Sequence, residues 1–184
     1  MIHTNLLTEN NALLLIIDVQ ERFREHICGF APMVRNIGIL AEGCRLMGLP
    51  IIVTEQYTKG LGPTVAELAE PLKDSVRFEK ECFSVCGAAG FSEHLAKLGR
   101  KQVLVCGIET HVCVNQSVHE LLAEGYQVHL IEDALASRFE HNKGIGLAKM
   151  YRSGALPSSV ETALLEMLVR SGGDKFKAVQ KLVK

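Results

Sequence analysis

A cysteine set between a strand and a helix is the residue of this chain most suited to covalent chemistry. Cys113 closes the segment Gly107-Ile108-Glu109-Thr110-His111-Val112-Cys113, which follows the apolar run Gln102 to Cys106 and precedes the helical stretch Asn115 to Glu124. Where a strand stops and a helix begins, a sulfur lies near unpaired backbone N–H groups and the positive end of the helix dipole. Those surroundings favour the thiolate, which is the nucleophilic form. Taken alone, a cysteine in such a place more often packs a helix against a sheet.

Two charged residues change that balance. The continuous apolar run Ala12 to Ile17 ends at Asp18, and the strand Val76 to Lys80 ends on its lysine. In open parallel sheets ligands bind beyond the C-terminal ends of the strands, where the strand order reverses. A carboxylate, an ammonium and a thiol are thereby expected at one edge of a sheet from three remote parts of the chain. Read singly, Asp18 is a helix cap and Lys80 a solvated charge beside Glu79 and Glu81. Read together they form the set that covalent catalysis needs: a nucleophile, a base for its proton, and a cation that steadies the thiolate.

The elements that must position these groups alternate regularly. Strands are expected at Ala12 to Ile17, Pro50 to Thr54, Val76 to Lys80, Gln102 to Cys106, Gln127 to Ile131 and, briefly, near Ala155. Pro32 to Gly48 carries Ile37, Leu40, Cys44 and Met47 on one helical stripe. Further helices are expected at Val65 to Leu72, from Phe91, after Cys113, at His141 to Arg152, at Val160 to Arg170 and at Asp174 to Val183. Such alternation predicts an α/β fold with a mostly parallel sheet and helices on both faces. With 184 residues and no linker or repeat, residues 1–184 read as a single domain.

Composition excludes several functions. Twenty Lys+Arg against 21 Asp+Glu give a net charge of −1 with no run of one sign, so neither nucleic acid nor a membrane surface is an expected partner. Leu13 to Ile17 is too short to cross a bilayer and no signal segment is evident, so a cytoplasmic protein is expected. The six cysteines are then expected reduced. Cys82 and Cys86 are four apart with Cys106 and Cys113 downstream, which is not the paired spacing of structural zinc sites. No metal and no cofactor is expected.

Three motifs in order carry a family resemblance. Leu15-Ile16-Ile17-Asp18-Val19-Gln20, Phe78-Glu79-Lys80-Glu81-Cys82-Phe83-Ser84 and Gly107 to Val114 resemble the isochorismatase-like cysteine hydrolases, over about Leu13 to Asp133. Thr54-Glu55-Gln56-Tyr57 and Ser137-Arg138 are similar to the subgroup called isochorismatase domain-containing proteins. The resemblance implies a Rossmann-like three-layer sandwich with a six-stranded sheet and a triad falling on Asp18, Lys80 and Cys113. It also implies a cis peptide at Ile108–Glu109 that aims the N–H groups of Glu109 and Cys113 at an oxyanion. Glu109 stands where the family more often has a small residue, so its side chain is free to reach the pocket or an interface.

The departures narrow the chemistry. True isochorismatases lack the cysteine, so Cys113 favours acyl transfer at a C–N bond. Nicotinamidases have a metal-binding Asp-x-His and a further His after the first strand, whereas Glu21 to Phe30 holds only His26; His26, His94 and His141 read as surface residues. With no Trp and 5% aromatics, few rings are expected for stacking a pyridine. The expectation is a cysteine amidohydrolase of a small molecule, with Gln20, Thr54, Gln56, Tyr57 and His111 as candidate substrate-binding residues. The alternatives are a non-catalytic assembly protein and a redox-reactive thiol with Cys82 or Cys86 as partner. A homo-oligomer is expected from family habit and from Val160 to Val169, which holds more apolar residues than one helix face buries, unless Phe176, Val179 and Leu182 cover them.

Overall fold

The computed structural model describes residues 3–184. Its six strands are β1 (Ala12–Ile17), β2 (Ile51–Gln56), β3 (Val76–Lys80), β4 (Gln102–Gly107), β5 (Gln127–Leu135) and β6 (Leu156–Ser158). They form one sheet in the order β3-β2-β1-β4-β5-β6, and every neighbouring pair is parallel. The chain builds outward from β1 through β2 to β3, then returns to the other side of β1 with β4. The order therefore reverses between β1 and β4, the two strands that lead to Asp18 and to Cys113.

Among the described residues seven α-helices accompany the sheet: α1 (Phe30–Leu46), the single turn α2 (Thr58–Leu61), α3 (Phe91–Lys97), α4 (Asn115–Ala123), α5 (Glu140–Arg152), α6 (Val160–Leu168) and α7 (Gly173–Val183). Along β1 the side chains alternate between two cores. Leu14 and Ile16 pack with Ile37 and Leu40 of α1, Leu164 of α6 and Val179 of α7. Leu13, Leu15 and Ile17 pack with Phe91 of α3, Val118 of α4 and Met150 of α5. A strand buried on both faces must be apolar throughout, which is why Ala12 to Ile17 contains no polar residue until Asp18.

Three expectations need correction. Val65 to Leu72 is not a helix but a short 3-10 turn at Ala66–Leu68 followed by turns. Pro71 has no N–H to give and disfavours helical backbone at Glu70, so the turn cannot propagate. Strand β5 runs past Ile131 to Leu135, with an irregularity in its register against β4 between Val105 and Gly107. Finally, the apolar residues of α6 do not stand spare. Val160, Ala163, Leu164 and Met167 are buried within this chain, with Leu164 seated on Gly43 of α1 and α7 contributing Val179. Leu165 and Val169 remain exposed. A helix sandwiched between two others buries more than one face, so most of the surface expected for an interface is used internally.

Candidate active site

Strand β1 ends in a sharp local turn. Asp18 adopts left-handed backbone with φ 56°, its N–H donates to Thr54 O at 3.1 Å, and its carbonyl accepts the Gln20 N–H at 2.9 Å. This lifts the carboxylate out of the sheet at the β1 end. Thr54 Oγ1 donates to Asp18 Oδ1 at 2.7 Å, and Lys80 Nζ donates to Asp18 Oδ2 at 2.6 Å. Lys80 also donates to Gln56 Oε1 at 2.7 Å and to the Cys82 carbonyl at 3.2 Å. An ammonium has three N–H donors, and all three are engaged. Lys80 thus points inward to Asp18, away from the neighbouring Glu79 and Glu81.

The cysteine sits on a built turn rather than on a plain helix start. Thr110–Val114 forms one wide turn before α4, closed by the Val114 N–H on Glu109 O at 3.3 Å. Such π-type turns recur at functional sites because the extra residue displaces a side chain from the helical path. Thr110 gives both its N–H and its hydroxyl to Ala136 O at 3.0 Å, tying the turn to the end of β5. Ser117 Oγ donates to Cys113 O at 2.6 Å and accepts the Val85 N–H at 3.0 Å. Gly107 starts the departure with φ 110°, and a Cβ there would lie 2.1 Å from Ile17 O. Only glycine lets β4 leave the sheet so close to β1. The Ile108–Glu109 peptide bond is cis. The Glu109 N–H makes no backbone hydrogen bond among the described residues.

Asp18 and Cys113 line one cavity of about 490 Å³. The charged environment of the sulfur differs from the expectation of a ready thiolate. Burial pushes the Cys113 thiol up to about 12, the Asp18 carboxylate pushes the same way, and the Lys80 ammonium opposes both. The sulfur stands two residues before α4 begins and is largely buried, so desolvation outweighs the helix terminus. At neutral pH the thiol is then favoured over the thiolate. A base must take the proton as the reaction proceeds, and Asp18 is the carboxylate that bears on this sulfur.

The remaining candidates separate. Gln56 lies on the cavity wall. Gln20 is fully buried; its side chain donates to Gln56 O and Gly62 O at 2.9 and 2.6 Å and accepts the Gln56 N–H at 2.8 Å, joining the ends of β1 and β2 to the loop carrying α2. Thr54 is likewise buried, supporting Asp18. Tyr57 is half exposed and packs over Gly60, off the cavity wall. His111 turns away, with Nδ1 3.1 Å from Ser137 Oγ and Nε2 3.5 Å from Asn142 Nδ2. For Gln20, Thr54, Tyr57 and His111 the correction is the same: none lines the cavity.

Several wall residues were not singled out beforehand. Phe23, Leu61, Phe83 and Val112 join Ile108 in its apolar side, so two of the few aromatic rings do face the pocket. His26 is exposed, as expected, yet it borders the cavity mouth. Arg138 lines the wall and gives its Nε to both Glu109 oxygens at 3.2 Å and its main-chain N–H to Oε2 at 2.9 Å. Glu109 therefore does reach into the pocket. Phe83 and Ser137-Arg138 lie inside recognisable motifs, which was the available signal. Phe23 and Leu61 come from irregular segments, where no periodicity marks an inward face.

Among the described residues the cysteines are unpaired: Cys28 and Cys82 are exposed, while Cys44 and Cys106 are buried core residues. No helix among the described residues is long and apolar enough to cross a membrane.

Comparison with known proteins agrees with this architecture. The Isochorismatase domain model matches residues 12–162. The secreted isochorismatase effector Isc1 of Phytophthora sojae is 36% identical over 97% of this chain and 87% of its own. Isochorismatase domain-containing protein 2 of Danio rerio is 36% identical over 96% of this chain and 89% of its own. The solved structure of the MAR1 ribonuclease from Caenorhabditis elegans is 36% identical and superposes with a TM-score of 0.92, over 97% of this chain and 92% of that one. On sequence and on the parallel six-stranded sheet, this chain belongs to the isochorismatase domain family.

Proposed function

We propose that the protein is a cysteine hydrolase that cleaves an amide-type C–N bond of a small molecule through a thioester on Cys113. One observation carries the reading: a buried thiol shares a cavity with a carboxylate whose two oxygens are fixed by Thr54 and Lys80. As the carbonyl carbon is attacked, the thiol proton passes to Asp18 and the S–C bond forms. The oxygen takes up the charge and meets the N–H groups of Glu109 and Cys113. The intermediate collapses, the C–N bond breaks, and protonated Asp18 returns its proton to the departing nitrogen. Water, giving a proton to the same carboxylate, then hydrolyses the thioester to the acid and restores the thiol. Lys80 acts through charge, since its three donors are already engaged.

No metal takes part in this scheme. The ribonuclease name of the Caenorhabditis relative describes that protein and is not carried over to this chain. The chemistry is not tied to a compartment, and one relative bears the name of a secreted effector. Self-assembly is part of the proposal and now rests on Phe139, Ile145, Leu165 and Val169, which stay exposed. A mass of 20.2 kDa by light scattering that holds on raising the concentration would overturn it.

The test is a screen of small amides and ureas read as ammonia release. Cys113→Ala should fold normally and release none, and iodoacetamide should abolish turnover by labelling Cys113. Exhaustive chelation should leave the rate unchanged. Turnover that survives Cys113→Ala, or that needs added zinc, would overturn the scheme.

A further inference from the structure

The fixed charges on the cavity wall occur in pairs of opposite sign. The ionised groups on its wall are Asp18, Glu109 and Arg138. Asp18 is neutralised from behind by Lys80 at 2.6 Å, and Arg138 is neutralised by Glu109, whose carboxylate accepts both its Nε and its main-chain N–H. The rest of the wall is Phe23, Leu61, Phe83, Ile108 and Val112, with the amide of Gln56 and the rim residue His26. A ligand carboxylate meets a cation already paired with Glu109, and a ligand ammonium meets a carboxylate already paired with Lys80, so neither gains a full counter-charge for the water it gives up. A neutral ligand with an apolar body meets five apolar side chains and loses nothing.

We infer that the cavity selects uncharged acyl compounds with an apolar or aromatic body, and that Glu109 sets this preference by cancelling Arg138. The inference rests on the proposed hydrolase reading for its reaction but not for its binding preference. Glu109→Gln leaves the Arg138 guanidinium unmatched on the wall and should admit anions. Arg138→Gln leaves a largely buried carboxylate without its cation and should exclude anions more strongly than the parent does. The two substitutions at one ion pair thus push selectivity in opposite directions, which a general loosening of the pocket does not do.

The experiment compares alkylation of Cys113 by iodoacetamide and by iodoacetate in the full chain, with exposed Cys28 and Cys82 as internal references in the same digest. The neutral reagent should be favoured at Cys113 over its ratio at the reference cysteines. Glu109→Gln should lower that ratio by about fivefold, and Arg138→Gln should raise it. A parent ratio equal to that of Cys28, or a ratio moving the same way in both variants, would overturn the inference. If Glu109→Gln fails to fold, the rise in Arg138→Gln decides alone. Ammonia release from phenylacetamide against succinamate is measured in parallel. Preference for succinamate overturns the inference while leaving a hydrolase; no release from these or from any amide or urea of the screen, with the alkylation pattern intact, overturns the hydrolase reading alone.

Discussion

Lys80 Nζ stands 2.6 Å from Asp18 Oδ2, and both side chains are withdrawn from solvent. The two residues come from strand ends separated by β2, yet they behave as one group. Charges so placed are poorly screened, and each makes the burial of the other tolerable. The pair can be disturbed only as a pair. That has a consequence for the nearby thiol, because the carboxylate raises the Cys113 pKa and the ammonium lowers it.

Lys80→Met should therefore act twice. Removing one partner of a buried ion pair leaves an uncompensated carboxylate and should cost about 3–5 kcal/mol in urea unfolding. It should also move the alkylation of Cys113 to still higher pH, because the one lowering influence is gone. Asp18→Asn should do the opposite to the thiol and lower its pKa, while turnover falls because an amide cannot take the proton. A thiol that titrates unchanged in both variants would mean that neither side chain acts on the sulfur.

Thr54→Val should separate positioning from binding. The hydroxyl holds Asp18 Oδ1 at 2.7 Å and does not line the cavity. Its loss leaves one carboxylate oxygen without its donor, a defect of about 1–3 kcal/mol. We expect kcat to fall by roughly tenfold or more with KM little changed. An altered KM with kcat preserved would place Thr54 in substrate binding instead. Thr54→Ser should recover most of the rate.

Much of this site was legible in the sequence because the α/β architecture is so regular. A run such as Ala12 to Ile17 has no reason to be wholly apolar unless it is buried on both faces, and the first polar residue after it must lie at the sheet edge. Asp18 follows from that rule, whereas Lys80 was read as the last residue of its strand and Cys113 as lying one short connection beyond β4. What periodicity could not convey was the direction of side chains in the loops. Tyr57 and His111 lie beside wall residues in sequence yet face elsewhere, His111 because Ser137 and Asn142 hold its ring. The state of the thiol was also hidden, since proximity to a helix start is local but desolvation depends on the whole surrounding fold.

Gly107→Ala should be severe even though it adds one methyl group. The added carbon would meet Ile17 O at 2.1 Å, and φ is 110°, where an L-residue is strained. Backbone would have to move at the junction that aims both Asp18 and Cys113. We expect loss of activity together with at least about 2–3 kcal/mol of stability. A variant with parental melting and parental rate would show that β4 leaves the sheet differently.

His129 gives the clearest pH prediction. It lies on β5, buried, and its Nε2 has no partner among the described residues. Burial lowers its pKa from the ordinary 6.5 to about 4. Between those values the unfolded chain takes up a proton that the folded chain refuses, so stability is complete above pH 6.5 and drains away as pH falls towards 4. The loss from pH 7 to pH 5 should be about 2 kcal/mol from this residue alone. His129→Leu removes the titrating group and an unsatisfied buried nitrogen, so it should be neutral or stabilising at pH 7 and markedly less acid-sensitive. Urea midpoints of parent and variant at pH 7 and pH 5 are the measurement. Parallel acid losses in the two proteins would show that His129 is protonated as readily in the folded chain as in the unfolded one.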